Sequence, residues 1–246
     1  MYILAIETTG PYGSVALISD TARIAAHRVS KESMSHLKDL MPMISDMLSE
    51  VGADEKDIFA IACDVGPGSF TGIRIGVSTA RALAQIWKVP CVKVSSLTSA
   101  ILKERPEGMD YKDTIVCVIL NARRRQVYGF IDGYLEPGPW MIDDVIRIAK
   151  EEIAGSGEIL FYGDGVDSYG DILKDAFEGT DVRYRFAPVE IRYQDAKEIA
   201  QVGLFKYAEG QTVDHRELLP EYMREAEAET KLKAGELPIS RLPKQE

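Results

Sequence analysis

Residues Gly66-Pro67-Gly68-Ser69-Phe70-Thr71-Gly72-Ile73-Arg74-Ile75-Gly76 constrain the fold of this chain more than any other stretch. The run follows an apolar strand pattern, Ile58–Cys63, and leads into a long helical pattern over residues 70–87. Three glycines and a proline in its first seven positions force a sharp strand-to-helix turn and leave its backbone amides uncovered. Ser69 and Thr71 suit the N-cap of the following helix, whose free N–H groups then face the turn. The run lacks the closing Gly-Lys-Ser/Thr of a Walker A loop and the spacing of GxGxxG. A chain built around it is an α/β protein with a helix launched directly from a buried strand.

The flanking periodicities extend this reading. Tyr2–Ile6 and Ser14–Ile18 pair as strands across the Gly10-Pro11-Tyr12-Gly13 turn, and Ile24–Val29 alternates as a third. Leu37, Leu40, Met41, Ile44, Met47 and Leu48 recur at helical spacing, with Pro42 inside the helix and Gly52 as its stop. Pro90–Val94 reads as a strand and Ser96–Lys103 as a helix. Further on, Ile115–Leu120, Gln126–Ile131 and Ile159–Tyr162 read as strands, and Ile142–Ile153, Ser168–Phe177 and Asp195–Glu209 as helices. Glu136-Pro137-Gly138-Pro139 reads as a break. The order strand, hairpin, helix, strand, helix occurs in both halves, which predicts two lobes over 1–103 and 104–224, with the last helix free to return to the first lobe. The Glu- and Lys-rich stretch 225–246 reads as a solvated tail.

Charge and cysteine usage narrow the function classes. A formal net charge of −10 argues against a stand-alone nucleic-acid binder, because phosphate contacts need clustered Lys and Arg. Cys63, Cys91 and Cys117 lie in apolar runs without CxxC spacing and read as buried thiols in a reducing cytoplasm. No membrane-length apolar segment and no signal-peptide order is seen, so the expectation is a soluble, cytoplasmic protein. His27, His36 and His215 have no metal-ligand spacing, so no metal site is expected, and Ser69 has neither a neighbouring base nor a GxSxG elbow.

The full run GPGSFTGIRIG resembles the signature of the TsaB (YeaZ) family of tRNA threonylcarbamoyladenosine synthesis. Ile3–Thr9 with Ser14–Leu17, Ser35-His36-Leu37, Asn121-Ala122-Arg123-Arg124-Arg125-Gln126-Val127-Tyr128 and Leu219–Arg224 are similar to its remaining motifs, in order. Glu7 and Asn121 depart from it, each standing where the family usually has Asp. The resemblance implies a two-lobed actin-like ATPase (ribonuclease H-like) fold of mixed sheets flanked by helices. In that fold two phosphate hairpins bind ATP between the lobes. Here only vestiges are expected, at Glu7, Thr8 and Thr9 and at Asn121, because Pro11 and Tyr12 crowd the first hairpin tip and arginines replace glycines in the second.

Gly72, Gly76, Ala80 and Ala84 form a spine of small residues on the second helix, and Met34, Met41, Met43 and Met47 mark the first. From the residues alone the spine suits the chain's own sheet as well as another helix. The family pairs through these two helices, so the resemblance implies a partner face of Met34, Leu37, Met41, Gly72, Ile73, Gly76, Ala80 and Ala84. Gly66, Pro67, Gly68, Ser69, Phe70 and Thr71 are then a structural turn. The implied role is a non-catalytic subunit without a cofactor of its own. It would bind and activate TsaD, which transfers threonylcarbamoyl to the tRNA adenosine beside the anticodon. TsaE would join the assembly, ATP and a divalent metal would sit on the partner subunits, and tRNA would be met only through the complex. The chain alone would form a homodimer, and no membrane contact is implied. The alternatives are an independent phosphotransferase or M22-like glycopeptidase, and a homodimeric regulatory protein.

Overall fold

The computed structural model describes residues 1–33, 35–106 and 112–223, with the side chains of His36 and Leu37 left aside. Two five-stranded mixed sheets carry the chain. The first is ordered β3-β2-β1-β4-β5, from β1 (Tyr2–Glu7), β2 (Ser14–Ser19), β3 (Ile24–Val29), β4 (Ile58–Asp64) and β5 (Cys91–Val94). The second is ordered β10-β9-β6-β7-β8, from β6 (Thr114–Asn121), β7 (Gln126–Ile131), β8 (Leu135–Met141), β9 (Glu158–Tyr162) and β10 (Arg183–Phe186). Each sheet begins as an antiparallel meander and ends in two parallel strands, so the second repeats the first. Mixed sheets flanked by helices, in the actin-like arrangement, are what the family resemblance implies.

Strand alternation divides the core of the first sheet into two faces. Leu4 and Ile6 of β1 meet α1 (His36–Glu50) and α2 (Phe70–Trp87) through Leu40, Ile44, Met47, Ile73 and Val77. Ile3 and Ala5 meet α7 (Ala196–Ala208) on the opposite face through Ala196, Ile199 and Ala200. A strand so covered reads as a continuous apolar run, as β1 and β4 do. In the second sheet Ile119 and Phe161 pack on α4 (Ile142–Ile148) and α5 (Gly165–Phe177). Val118 and Leu160 face Leu97 of α3 (Ser96–Ser99) and Ala187, which precedes α6 (Val189–Arg192).

Several elements differ from the sequence reading. The stretch containing Pro137 and Pro139 is not a break but the edge strand β8, where a missing N–H interrupts no ladder on the outer side. The helix expected over Ser96–Lys103 is one α turn followed by a 3-10 turn over Ala100–Leu102. Helix α5 starts at Gly165 rather than Ser168, and β10 and α6, four residues each, were too short to leave a period. The expected tail, 225–246, lies outside the described residues.

Candidate functional site

The tip of the β1–β2 hairpin, the turn after β4 and the start of α2 converge on one buried cluster. Gly66 stands at φ 111°, which favours glycine, and its amide donates to Asp64 Oδ1 at 2.8 Å. Pro67 is buried, and Gly68 lies so close to Thr9 that a Cβ there would stand 2.6 Å from the Thr9 carbonyl oxygen. Ser69 caps α2: its hydroxyl accepts the Gly72 N–H at 3.2 Å, and its own N–H donates to the Thr9 carbonyl at 2.8 Å. Thr71, the other N-cap candidate, sits exposed inside the first turn. Phe70 is also exposed, with the Arg74 guanidinium 3.9 Å from its ring centroid and Arg74 Nε donating to the Tyr222 hydroxyl.

Glu7 and Asp64 meet at the base of this cluster, both fully buried. Glu7 Oε1 accepts the Thr9 N–H at 2.5 Å, the Gly10 N–H at 3.0 Å and the Thr9 hydroxyl at 2.6 Å. Asp64 Oδ1 accepts the Ser96 hydroxyl at 2.7 Å as well as Gly66, and Asp64 Oδ2 lies 3.2 Å from Thr9 Oγ1. Burial pushes Glu7 up to about 8, with the Asp64 charge adding to it, and burial pushes Asp64 up to about 7 against its hydrogen bonds. Sequence reasoning singled out Glu7 but missed Asp64 and Ser96. The available signal was an acid closing an apolar strand one residue ahead of a Gly-Pro-Gly turn.

The second hairpin is held by Asn121. Its side chain accepts the Arg123 N–H at 2.8 Å and the Tyr169 hydroxyl at 3.1 Å, and it donates to Ser168 at 2.7 Å. Its backbone N–H donates to Asp164 Oδ1 at 2.9 Å. Arg123, Arg124 and Arg125 turn the chain with φ of 65°, 53° and 62°, a conformation that costs about 1–2 kcal/mol per residue outside glycine. Arg125 pairs with Asp143 at 2.6 Å.

A strap formed by Arg192–Asp195 runs between the two hairpin regions. The Gly163 N–H donates to the Arg192 carbonyl at 2.8 Å, and Arg192 pairs with Asp167 at 2.5 Å. Tyr193 packs on Tyr12, ring centroids 5.7 Å apart, and donates its hydroxyl to Asp167 at 2.9 Å. Gln194 donates to Thr9 Oγ1 at 3.4 Å, and its Oε1 stands 3.0 Å from where a Cβ on Gly10 would lie. Asp195 caps α7 and meets His27 Nε2 at 2.8 Å. Behind the strap Lys103 and Glu198 form a buried ion pair at 3.4 Å.

The partner-face expectation requires correction for most of its residues. Gly72, Ile73, Gly76, Ala80 and Ala84 are buried within the chain itself. A Cβ on Gly72 would stand 1.9 Å from the Thr8 carbonyl oxygen, and one on Gly76 2.3 Å from Thr8 Oγ1. The glycines therefore let α2 lie directly on the end of β1, and the alanines continue that seam into the core. On the outer side of α2, Arg74, Ser78 and Ala82 are exposed, and Met41 of α1 is 48 % exposed. Met34 and the Leu37 side chain lie outside the described residues. Among the described residues no three His, Cys, Asp or Glu side chains converge as metal ligands, and no helix is long and apolar enough to cross a membrane.

The family model described as "TsaD: tRNA N6-adenosine threonylcarbamoyltransferase" matches residues 27–232. The chain is 32 % identical over 243 residues to the "tRNA threonylcarbamoyladenosine biosynthesis protein TsaB" of Escherichia coli strain K12, covering 96 % of this chain and 100 % of that one. It belongs to the TsaB family. The TsaB protein of Bacillus subtilis strain 168 is 28 % identical over 94 % of this chain and 97 % of its own. The solved structure "YeaZ from Pseudomonas aeruginosa" superposes with a TM-score of 0.66 at 24 % identity, over 90 % of this chain and 99 % of that one, and shares its fold.

Proposed function

We propose that this chain acts in tRNA threonylcarbamoyladenosine biosynthesis as a non-catalytic subunit that binds TsaD and holds it in its active form. The observation that carries this reading is the strap: Tyr193 and Gln194 occupy the ground beside Thr9 and Gly10 where an actin-like fold receives phosphates. Behind the strap, between Ser96, Lys103, Gly163 and Glu198, the remaining cavity is about 10 Å³, the room of a single water. Asn121, the other phosphate-hairpin residue, is committed to holding its own turn. These contacts favour a scaffold over the phosphotransferase or glycopeptidase readings. In the assembly, ATP and a divalent metal belong to TsaD and TsaE, and tRNA reaches this chain only through them.

The partner surface in this proposal is the outer side of α1 and α2, from Met41 to Ser78 and Ala82. Ser78 and Ala82 are small, so a partner helix can approach closely, and exposed methionine adapts to whatever packs on it. A second copy would use the same face when TsaD is absent. Met41→Glu and Ala82→Glu test this. Either variant should melt as the wild type does, yet elute as a monomer and fail to bind TsaD, since a carboxylate without a partner in a dry interface costs several kcal/mol. Undiminished TsaD binding by both variants refutes the assignment.

A further inference from the structure

The Glu7–Asp64 cluster can be counted donor by donor, and the count does not close with both acids ionised. Thr9 Oγ1 lies between them, 2.6 Å from Glu7 Oε1 and 3.2 Å from Asp64 Oδ2; Ser96 Oγ is also 3.2 Å away but spends its proton on Asp64 Oδ1 at 2.7 Å, and the Thr9 hydroxyl has one proton to give. Given to the nearer Glu7 Oε1, it leaves Asp64 Oδ2 facing an oxygen lone pair. Glu7 Oε2 is itself buried with no hydrogen-bond partner. Two carboxylate oxygens in a site closed to water would then carry charge with no donor, an arrangement buried groups avoid. One added proton on Asp64 Oδ2 gives a directed chain, Asp64 donating to Thr9 and Thr9 to Glu7, and lowers the pair's charge from two to one, so that Glu7 Oε2 is the one carboxylate oxygen still without a donor. Gln194 donates to the same Thr9 hydroxyl, which is thereby saturated as donor and acceptor.

We propose that Glu7 and Asp64 bind one proton between them at neutral pH, and that this proton latches the first hairpin and the strap onto the turn ahead of α2. The groups it ties are distinct in the chain. Glu7 holds the Thr9 and Gly10 amides, Asp64 holds Gly66 and Ser96, and the Thr9 carbonyl holds Ser69 at the N-cap of α2. Among the described residues the ionisable groups that press on the pair are Cys63, beside Asp64 on β4, and Glu221 on the C-terminal segment. Nearby charges on the other elements are turned elsewhere, Asp195 to His27, Arg192 to Asp167 and Arg74 to Tyr222. Burial raises both carboxyls, to about 8 and about 7, in keeping with a pair that retains a proton near neutrality.

The sign of the pH effect follows from proton counting. Once opened and solvated, the two acids return to about 4, so above that pH the closed state holds one proton more than the open state. Opening therefore becomes at least about tenfold easier per pH unit from about pH 5 until the closed pair itself ionises near 7–8, and levels off beyond. Amide hydrogen exchange at Thr9, Gly10 and Gly66, corrected for intrinsic rates, reads this on the full chain. Wild-type protection should fall with that slope. Asp64→Asn, whose side-chain amide can donate to Thr9 permanently, and Glu7→Gln should each shallow the slope to what the burial of the one remaining acid supports. A flat wild-type profile, or an unchanged slope in both variants, overturns the latch. If neither variant folds, infrared spectra of the wild type decide: a protonated-carboxylic-acid band at about pH 6 that is lost by about pH 9 supports it, and its absence refutes it. None of these readouts involves TsaD, so their failure leaves the proposed function standing.

Discussion

Replacing Gly72 by Ala adds one methyl group to a helix, which in an exposed helix stabilises by about 1 kcal/mol. Here the sign should reverse. The new Cβ would stand 1.9 Å from the Thr8 carbonyl oxygen and 3.0 Å from its carbon, and both are backbone atoms of the chain leaving β1. Neither can swing aside as a side chain would, so α2 and the hairpin must part by roughly 1 Å or more to reach ordinary contact. Overpacking of this kind costs about 1–3 kcal/mol. The same displacement stretches the buried hydrogen bond from the Thr8 hydroxyl to the Gly72 carbonyl, 2.8 Å long, and leaving that oxygen unpaired costs about 1–3 kcal/mol. Loosening the Ser69 cap adds about 1 kcal/mol. Set against the gain in helix propensity, the net is about 2–6 kcal/mol, or a melting temperature lower by roughly 5–20 °C for a chain of this size. Gly170→Ala is the control, because in α5 its Cβ would find only the Phe186 ring at 3.6 Å, and it should raise the melting temperature slightly. Melting by circular dichroism decides. If Gly72→Ala melts within about 1 °C of wild type, or both variants shift the same way, the close approach of α2 to β1 is wrongly drawn.

Two further outcomes follow from buried groups. Lys103→Met should destabilise by about 3–5 kcal/mol in denaturant titration, because it strips the partner from a buried Glu198. Burial already raises Glu198, and a raised acid loses stability as pH climbs from its unfolded value through its folded one, so the penalty should shrink as pH is lowered toward about 4.5. A penalty independent of pH would contradict the pairing. The three thiols should resist alkylation in the folded protein at neutral pH and label fully on denaturation, since burial pushes Cys91 up to about 11 and Cys63 and Cys117 well above their ordinary range. Fast native labelling of any one of them would place it nearer the surface than its strand does.

The parts of the fold that announce themselves in sequence are those whose periodicity and punctuation agree. Helix α2 spans Phe70–Trp87 as read, because Ser69 caps it and the glycine run fixes where it begins. Strands β3 and β7 match their expected bounds, since each alternates between clear turns. The spine on α2 was legible as a pattern but not as a contact. Gly72, Gly76, Ala80 and Ala84 announce that a backbone comes close, and nothing in their spacing says whether it is Thr8 of the same chain or another molecule. Asp64 and Ser96 escaped for a related reason. Their chemistry arises only when strand ends 32 residues apart are brought together beside Glu7 by parallel pairing, and a one-dimensional pattern carries no record of that meeting. Proline content likewise misled at β8, where position at the edge of the sheet, a property of the whole fold, makes Pro137 and Pro139 harmless.

Helix α7 comes near the end of the described chain yet covers one face of its first sheet, and Leu218, beyond it, fills the core on the other. During synthesis the strands of that sheet emerge long before their cover, at about 5–20 residues per second, and must wait for it with Ile3, Ala5, Ala60 and Ala62 open to water. The bridge between Cys91 and Val213 lies across the same span, so the edge beyond β5 also stays unpaired until then. A nascent chain halted after β5 would thus present an apolar sheet face and a bare strand edge, the two features most apt to recruit a chaperone or seed aggregation. Shortening this protein from its C-terminal side should accordingly harm the lobe that was made first.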